Sequence, residues 1–340
     1  MMKKIKLFFY GGIMADQFYS FVVNNQDENV SATLLEQDFS SLDSNGVIVK
    51  IAYSSLNFKD ALATQAKTGV VRNYPLTLGI DLAGTVIKSS DPRFLAGDEV
   101  LATGYGLGVT HAGGLSEYQS VPADWLVKLP QNLSLKESMI YGTAGFTAAL
   151  AVAKINENIA KDEAVLVTGA SGGVGSIAIA LLHQLGYQKI IATSRKTAVK
   201  SWLENLGATE FIAPEILIPA KIRPLAKQQF AGIIDTVGGE LLTALLPQLH
   251  YEGVAALCGN AGGIQLNTTV LPFILRGIKV FGIDSVNQPM TTRQEMWRLL
   301  ATDWKVTDQL KYDEVPLNAV KEVTAALLNG THEGRSVIKM

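Results

Sequence analysis

The stretch Ala164-Val-Leu-Val-Thr-Gly-Ala-Ser-Gly-Gly-Val-Gly175 decides the fold of this chain. An apolar, β-branched run enters three glycines, Gly169, Gly172 and Gly175. A helical pattern follows through Val174, Ile177, Ala178, Leu181, Leu182 and Leu185 and stops at Gly186, before a second apolar run, Ile190-Ile-Ala-Thr-Ser-Arg-Lys196. Strand, glycine turn, helix and strand in that order build a cradle for a pyrophosphate. The glycines let backbone N–H groups approach the phosphates, and the helix N-terminus adds partial positive charge. Ser171, Gly172, Gly173 and Val174 supply that backbone.

A site that prefers NAD carries Asp or Glu about 20 residues beyond the glycines, where the carboxylate accepts a ribose hydroxyl. Between Glu163 and Glu204 this chain has no acidic residue, and Thr193, Ser194, Arg195 and Lys196 occupy the position. Hydroxyls and a guanidinium suit a ribose 2′-phosphate, because Arg gives charge-assisted, often bidentate hydrogen bonds to phosphate. A solvated basic turn would use the same residues. The phosphate reading makes the ligand NADPH.

At 340 residues the chain has room for about two domains. Its 48% hydrophobic content, 18% charged residues and 31 glycines describe an α/β protein. A net charge of −2 offers no broad basic surface, so nucleic acid is not the expected partner. No apolar run approaches the roughly 18 residues that span a bilayer, so no membrane partner is expected either. The single cysteine, Cys258, excludes an internal disulfide and points to a reducing, cytoplasmic setting. The basic and apolar N-terminus imitates a signal peptide, but Gly11 and Gly12 interrupt it. Residues 1–13 are expected to be an extension, with natural initiation near Met14.

From about residue 17 to 130 the pattern is β-rich, with strands over 18–23, 46–54, 82–89, 99–103 and 115–121 and a short helix over 57–67. Helical periodicity takes over from Ser134. Strands near 164–168, 189–193, 209–212, 232–236, 253–258 and 278–283 then alternate with helices, including 197–206 and 240–249. That alternation predicts a doubly wound, mostly parallel sheet of Rossmann type, covered on both faces. Helices over 291–300 and 317–329 and a strand over 336–339 close the chain. The expected domains are 14–132 (β-rich, catalytic), 133–285 (Rossmann, NADPH-binding) and 286–340, a segment returning to the first.

That order of modules resembles the medium-chain dehydrogenase/reductase superfamily. Ser54-Ser-Leu-Asn-Phe-Lys-Asp-Ala61, Pro75-Leu-Thr-Leu-Gly-Ile-Asp-Leu-Ala-Gly-Thr-Val86, Gly113-Gly-Leu-Ser-Glu-Tyr118, Gly142-Thr-Ala-Gly-Phe-Thr147 and Asp235-Thr-Val-Gly-Gly239 are similar to its zinc-independent, quinone oxidoreductase-like branch. Within that branch the chain is most similar to the NADPH-dependent acryloyl-CoA reductase group. The resemblance implies a GroES-like catalytic domain, a Rossmann domain, and a homodimer joined along the Rossmann sheet edge.

Residue types test for zinc directly. Zinc-dependent relatives need Cys and His ligands for a catalytic ion and four closely spaced cysteines for a structural one. Here there is one Cys, Ile80 stands where a ligand His would sit, and His111, His183, His250 and His332 are scattered. No metal is expected. With neither zinc nor a Tyr-x-x-x-Lys proton donor, reduction of a simple ketone is unsuited, since its charge develops directly on oxygen. Conjugate reduction is easier: hydride goes to the β-carbon and the charge spreads into an enolate. The resemblance points to acryloyl-CoA becoming propionyl-CoA.

Asn57 and Asp60, three apart on the short helix, share one face, and they are the candidate catalytic residues. Asp60 would equally serve as a first-turn residue favouring the helix dipole. By the resemblance, Phe58 and Lys59 lie beside the nicotinamide, Thr143 contacts the nicotinamide amide or pyrophosphate, and Ser285, Asn329 and Arg335 line the cofactor cleft; Thr143 would equally be a small residue packing a helix start, and Arg335 a surface charge. Val237 and Gly238 end a sheet strand at the carboxyl edge, where ligands bind and their backbone would meet the cofactor. The group commonly has Tyr at the position of Phe58, so a phenol proton donor is missing there. Lys67 and Arg72 suit coenzyme A phosphates or simple solvation. Quinone or general enone reduction remains an alternative activity, and non-catalytic NADPH binding is a third reading.

Overall fold

The structure is a computed structural model, and it describes residues 16–26 and 29–340. The expected extension over residues 1–13 lies outside the described residues. The chain opens with the antiparallel pair β1 (Gln17–Gln26) and β2 (Asn29–Asp38), continued in one sheet by β4 (Leu76–Thr77). Between them come β3 (Val47–Leu56) and α1 (Phe58–Ala63). β5 (Asp81–Lys88), β6 (Glu99–Thr103), β7 (Tyr118–Val121) and β8 (Val127–Lys128) complete the β-rich part, with β5 antiparallel to β3 and β6, and β7 antiparallel to β3.

α2 (Leu135–Asn158) opens with a reciprocal cap: Ser134 Oγ accepts from the Glu137 N–H at 3.1 Å, and Glu137 Oε2 from the Ser134 N–H at 2.8 Å. The helix kinks at Gly142, whose φ is 52°. Among the described residues α2 is the one helix long and apolar enough to cross a membrane, but 78% of its apolar window is buried in the protein. It is the central helix of the core, packed on α3, and its length is visible only once the two halves around Gly142 are joined.

β9 (Ala164–Val167), α3 (Gly173–Gln184), β10 (Lys189–Thr193), α4 (Lys200–Asn205), β11 (Glu210–Ile212), α5 (Pro214–Leu217), β12 (Phe230–Asp235), α6 (Gly239–Leu245), β13 (Leu249–Leu257), α7 (Leu271–Arg276) and β14 (Lys279–Gly282) form the α/β part. Its six strands run parallel in the order β11-β10-β9-β12-β13-β14. The order reverses between β9 and β12, and ligands bind at the carboxyl ends of such a switch point. Val165, Leu166 and Val167 are fully buried, as a central strand covered on both faces requires. α8 (Met290–Ala301), β15 (Tyr312–Pro316), α9 (Val320–Leu328) and β16 (Arg335–Lys339) end the chain, with β16 antiparallel to β3 and parallel to β15.

Several elements differ from the sequence reading. The helix expected over 57–67 ends at Ala63, and the one expected over 240–249 ends at Leu245, because Pro247 follows and β13 begins at Leu249. The strand expected over 115–121 begins at Tyr118, although Ser116 bridges to Ser20. β2 and β15 were not expected. Both are sheet-edge strands with polar, largely exposed residues.

Candidate active site

The glycine turn after β9 is open on one side. Gly169 has φ 58°, and a Cβ there would collide with Thr236 Oγ1. A Cβ on Gly175 would lie 2.5 Å from the Gly169 carbonyl oxygen, so this glycine lets α3 pack on the turn. At Gly172 a Cβ would meet only the Gly169 carbonyl, at 3.3 Å, and otherwise open space. Gly173 starts α3, and Ser171 Oγ lies 3.1 Å from Ser194 Oγ at the end of β10. This ties the turn to the next strand.

Beyond β10, Thr193 and Ser194 are buried and Arg195 is exposed. Thr193 Oγ1 is buried without a hydrogen-bond partner among the described residues. The Lys196 ammonium donates to the His332 carbonyl at 2.5 Å, which leaves Arg195 as the outward cation. A Cβ on Gly330 would lie 3.6 Å from Arg195 Nη2, so the Asn329–Gly330 turn after α9 flanks the guanidinium. Asn329 itself is exposed. An orphaned hydroxyl, an open glycine and an exposed guanidinium fit a dinucleotide with an added phosphate.

A buried polar cluster lies on the far side of the turn. Asp81, fully buried at the start of β5, accepts from Ser55 Oγ at 2.6 Å, Asn57 Nδ2 at 2.7 Å, the Thr143 N–H at 2.9 Å and Thr143 Oγ1 at 2.5 Å. Asp60 accepts from the Asn57 N–H at 2.9 Å and the Ile80 N–H at 3.0 Å. Burial, with the Asp81 charge nearby, pushes Asp60 up to about 7. Arg335 donates to the carbonyls of Ile140 and Leu56, each at 3.1 Å, to Asn57 Oδ1 at 3.3 Å and to Ser55 Oγ at 2.9 Å. Burial pulls its guanidinium below the usual arginine range while Asp81 and Asp60 oppose that shift.

Gly142 explains why α2 must kink here: a Cβ would lie 2.5 Å from Asp81 Oδ2 and 2.9 Å from Arg335 Nη2. A Cβ on Gly173 would come within 3.1 Å of Arg335 Nη1, so the cluster abuts the phosphate turn.

The structure therefore brings Asn57, Asp60, Thr143, Gly173 and Arg335 together. Neither Asn57 nor Asp60 is open to a ligand: they are 8% and 1% exposed. The Asn57 amide gives its strong bond to Asp81 and a second, at 3.4 Å, to Asp60. Phe58, at 39% exposure, and the half-buried Lys59 are the accessible residues of this segment. At the end of β12, Val237 accepts from Gly262 N–H at 2.7 Å, and the Gly238 N–H donates to buried Asp235 at 2.8 Å. Burial raises the Asp235 carboxyl. Ser285 Oγ lies 2.8 Å from Thr147 Oγ1, which is 2.6 Å from the Thr143 carbonyl. Lys67 and Arg72 are exposed in the loop after α1.

Asp81, Ser55 and Gly142 were missed as site residues. Asp81 could have been found: it directly follows Ile80, the position of the absent ligand His. Ile80 is 3% exposed, and among the described residues no three His, Cys, Asp or Glu side chains converge as a metal site would require.

Residues 43–131 match the alcohol dehydrogenase GroES-like domain, and residues 173–302 the zinc-binding dehydrogenase family. The chain is 45% identical over 331 residues to YhfP of Bacillus subtilis, which carries a quinone oxidoreductase name, covering 96% of this chain and 100% of that protein. This chain belongs to the medium-chain dehydrogenase/reductase superfamily, in its quinone oxidoreductase-like branch. Acrylyl-CoA reductase AcuI of Ruegeria pomeroyi is another member of this group, 40% identical over 327 residues, with 94% and 98% of the two chains covered. The yhdH oxidoreductase of Salmonella enterica, solved in complex with NADP, superposes with a TM-score of 0.91 at 44% identity, covering 95% of this chain and 99% of that one. YhfP has been solved with NAD bound, and it superposes with a TM-score of 0.92 at 44% identity over 96% and 100% of the chains.

Proposed function

We propose that this protein is an NADPH-dependent reductase that adds hydride to the β-carbon of an α,β-unsaturated acyl thioester, acryloyl-CoA to propionyl-CoA. The observation that carries the reading is exposed Arg195 beside the open Gly172 turn, in a chain so similar to an acrylyl-CoA reductase. NADPH, when bound, supplies the hydride. The Gly172 N–H closes the turn on the Gly169 carbonyl at 3.0 Å, so the backbone N–H groups of Gly173 and Val174, with Ser171 and the bare Cα of Gly172 beside them, hold the pyrophosphate, and Thr193, Ser194 and Arg195 hold the 2′-phosphate. Phe58, Thr143, Val237, Gly238, Ser285 and Asn329 line the rest of the cleft.

In this reading Asn57, Asp60, Asp81 and Arg335 are a clamp. They fix the start of α1 and the kink of α2 against the phosphate turn. The donors of Asn57 are already given to carboxylates, so the charge developing on the thioester oxygen falls to the Lys59 ammonium. The enolate is then protonated at its α-carbon from water or Lys59.

Domains over 14–132 and 133–285, with 286–340 returning to the first, are part of the proposal, as is a cytoplasmic location. So is a homodimer through the β14 edge. On β13 and at α7, which precedes β14, Tyr251, Val270, Ile274 and Leu275 are 68%, 64%, 70% and 56% exposed, apolar side chains that a second copy would cover.

Comparing NADPH oxidation with acryloyl-CoA and with 1,4-benzoquinone tests the substrate class. The thioester should be turned over with the higher kcat/KM. A clear preference for the quinone would instead support the second reading, which the name of YhfP favours.

A further inference from the structure

A second cleft, of about 560 Å³, opens beside α6. Ile222, Arg223 and Pro224 form one wall, the loop from Gly262 to Thr269 the other, and Gly239 and Thr243 of α6 the floor. We infer that this cleft binds the 3′-phosphorylated nucleotide end of coenzyme A, the handle of the acyl thioester. The inference deepens the proposed function and rests on its choice of a thioester substrate.

Cations gather on one wall. Residues 216–234 contain Lys221, Arg223 and Lys227 and no acidic residue, in a chain whose net charge is −2. All three are exposed and, among the described residues, none has an ion-pair partner. Elsewhere on the surface Arg93, Lys128, Lys136, Arg298 and Lys311 each pair with a carboxylate. Arg223 lines the cleft, and Lys221 and Lys227 lie two and four residues from it in the same exposed segment, a charge that suits a polyanion. Glu240 is the one carboxylate in the lining, and it disfavours an anion only where the phosphates would come near α6.

The walls supply the rest. Ile222, Pro224 and Ile264, the last 79% exposed, give an apolar face for a purine, while Gln265, Asn267 and Thr268 give neutral polar groups for ribose and base. The cleft also adjoins the cofactor crevice. Gly262 donates to the Val237 carbonyl, and Gly238 bridges to Gly263, so one loop borders both.

The test uses the full-length protein saturated with NADPH. Adenosine 3′,5′-bisphosphate is titrated calorimetrically into wild type and Arg223→Ala. Wild type should bind it, and the variant should bind about tenfold or more weakly, the loss expected for one charge-assisted phosphate contact. Kinetically, Arg223→Ala should raise KM for acryloyl-CoA about tenfold. It should leave KM for NADPH, and all parameters for acryloyl-N-acetylcysteamine, which lacks the nucleotide, unchanged.

Failure of wild type to bind the bisphosphate, or equal binding by both proteins, would overturn the inference. A rise in KM for NADPH would reassign Arg223 to the cofactor and overturn it as well. Because the titration needs no turnover, it can succeed even if acryloyl-CoA proves a poor substrate, so the two proposals fail separately.

Discussion

The Asn57 amide donates to the Asp81 carboxylate at 2.7 Å, and this bond joins α1 to β5 at the wall of the phosphate turn. Asp81 also anchors Thr143 and Ser55, so one carboxylate on β5 holds the 55–57 segment and the kink of α2, which meet only in the folded chain. Asp81→Ala would leave the buried Arg335 guanidinium with a diminished countercharge and strand four donors. The expected loss of unfolding free energy is about 3–5 kcal/mol, read from urea melts. A loss within error of zero would show that the cluster does not support the fold.

Arg195 should discriminate between the cofactors. Arg195→Ala is expected to weaken NADPH binding by about 1.5–3 kcal/mol, a charge-assisted contact to phosphate, and to leave NADH binding unchanged. Fluorescence titration of both nucleotides reads this. Equal weakening of the two would remove Arg195 from the 2′-phosphate site.

Two glycines of one motif should fail in different ways. At Gly172 a Cβ would meet only the Gly169 carbonyl, at 3.3 Å, so Gly172→Val should fold with a far smaller loss of Tm than a core clash brings, yet lose NADPH binding. At Gly175 a Cβ would lie 2.5 Å from the Gly169 carbonyl, so Gly175→Val should lower Tm outright. Circular dichroism melts beside nucleotide titrations separate the two outcomes. NADPH binding by Gly172→Val at wild-type affinity would refute the phosphate turn.

Asp60 gives the stability a defined pH dependence. Its carboxyl rises from an ordinary 3.8 to about 7, chiefly through burial and then through the Asp81 charge. The folded protein therefore holds this proton more tightly than the unfolded chain. Its contribution favours folding below pH 3.8 and is lost as pH rises through about 7. Relative to Asp60→Asn, which does not titrate, wild type should lose stability across that window and then level off. A difference flat from pH 4 to 8 would contradict the shift.

Much of the α/β half is legible in the sequence, because central parallel strands are continuous apolar runs and the glycine turn has fixed spacing. Val165 to Val167 and the fully buried stretch Ile177–Leu182 leave little choice of element. β15, Tyr-Asp-Glu-Val-Pro, is not legible. It pairs at an edge and carries the charges that solvent-facing edges favour. The helix over 57–67 is overextended for a similar reason, since nothing in Thr64 to Lys67 announces the stop at Ala63.

For the site, local chemistry identifies Gly172 and Arg195, but the roles of Asn57 and Arg335 depend on partners far away in sequence. Arg335 meets Asn57 across 278 residues. Spacing on one helix suggests that Asn57 and Asp60 share a face, and they do hydrogen-bond to each other. It gives no sign that their polar atoms are consumed by Asp81, Ile80 and Arg335.

Hydride delivered to the β-carbon carries an isotope label with it. Acryloyl-CoA is incubated with the protein and NADPH deuterated at the transferable position of C4, and the product is read by mass spectrometry and NMR. Propionyl-CoA with one deuterium, on C3, is expected. Absence of propionyl-CoA, or deuterium at C2 with none at C3, would contradict hydride delivery to the β-carbon.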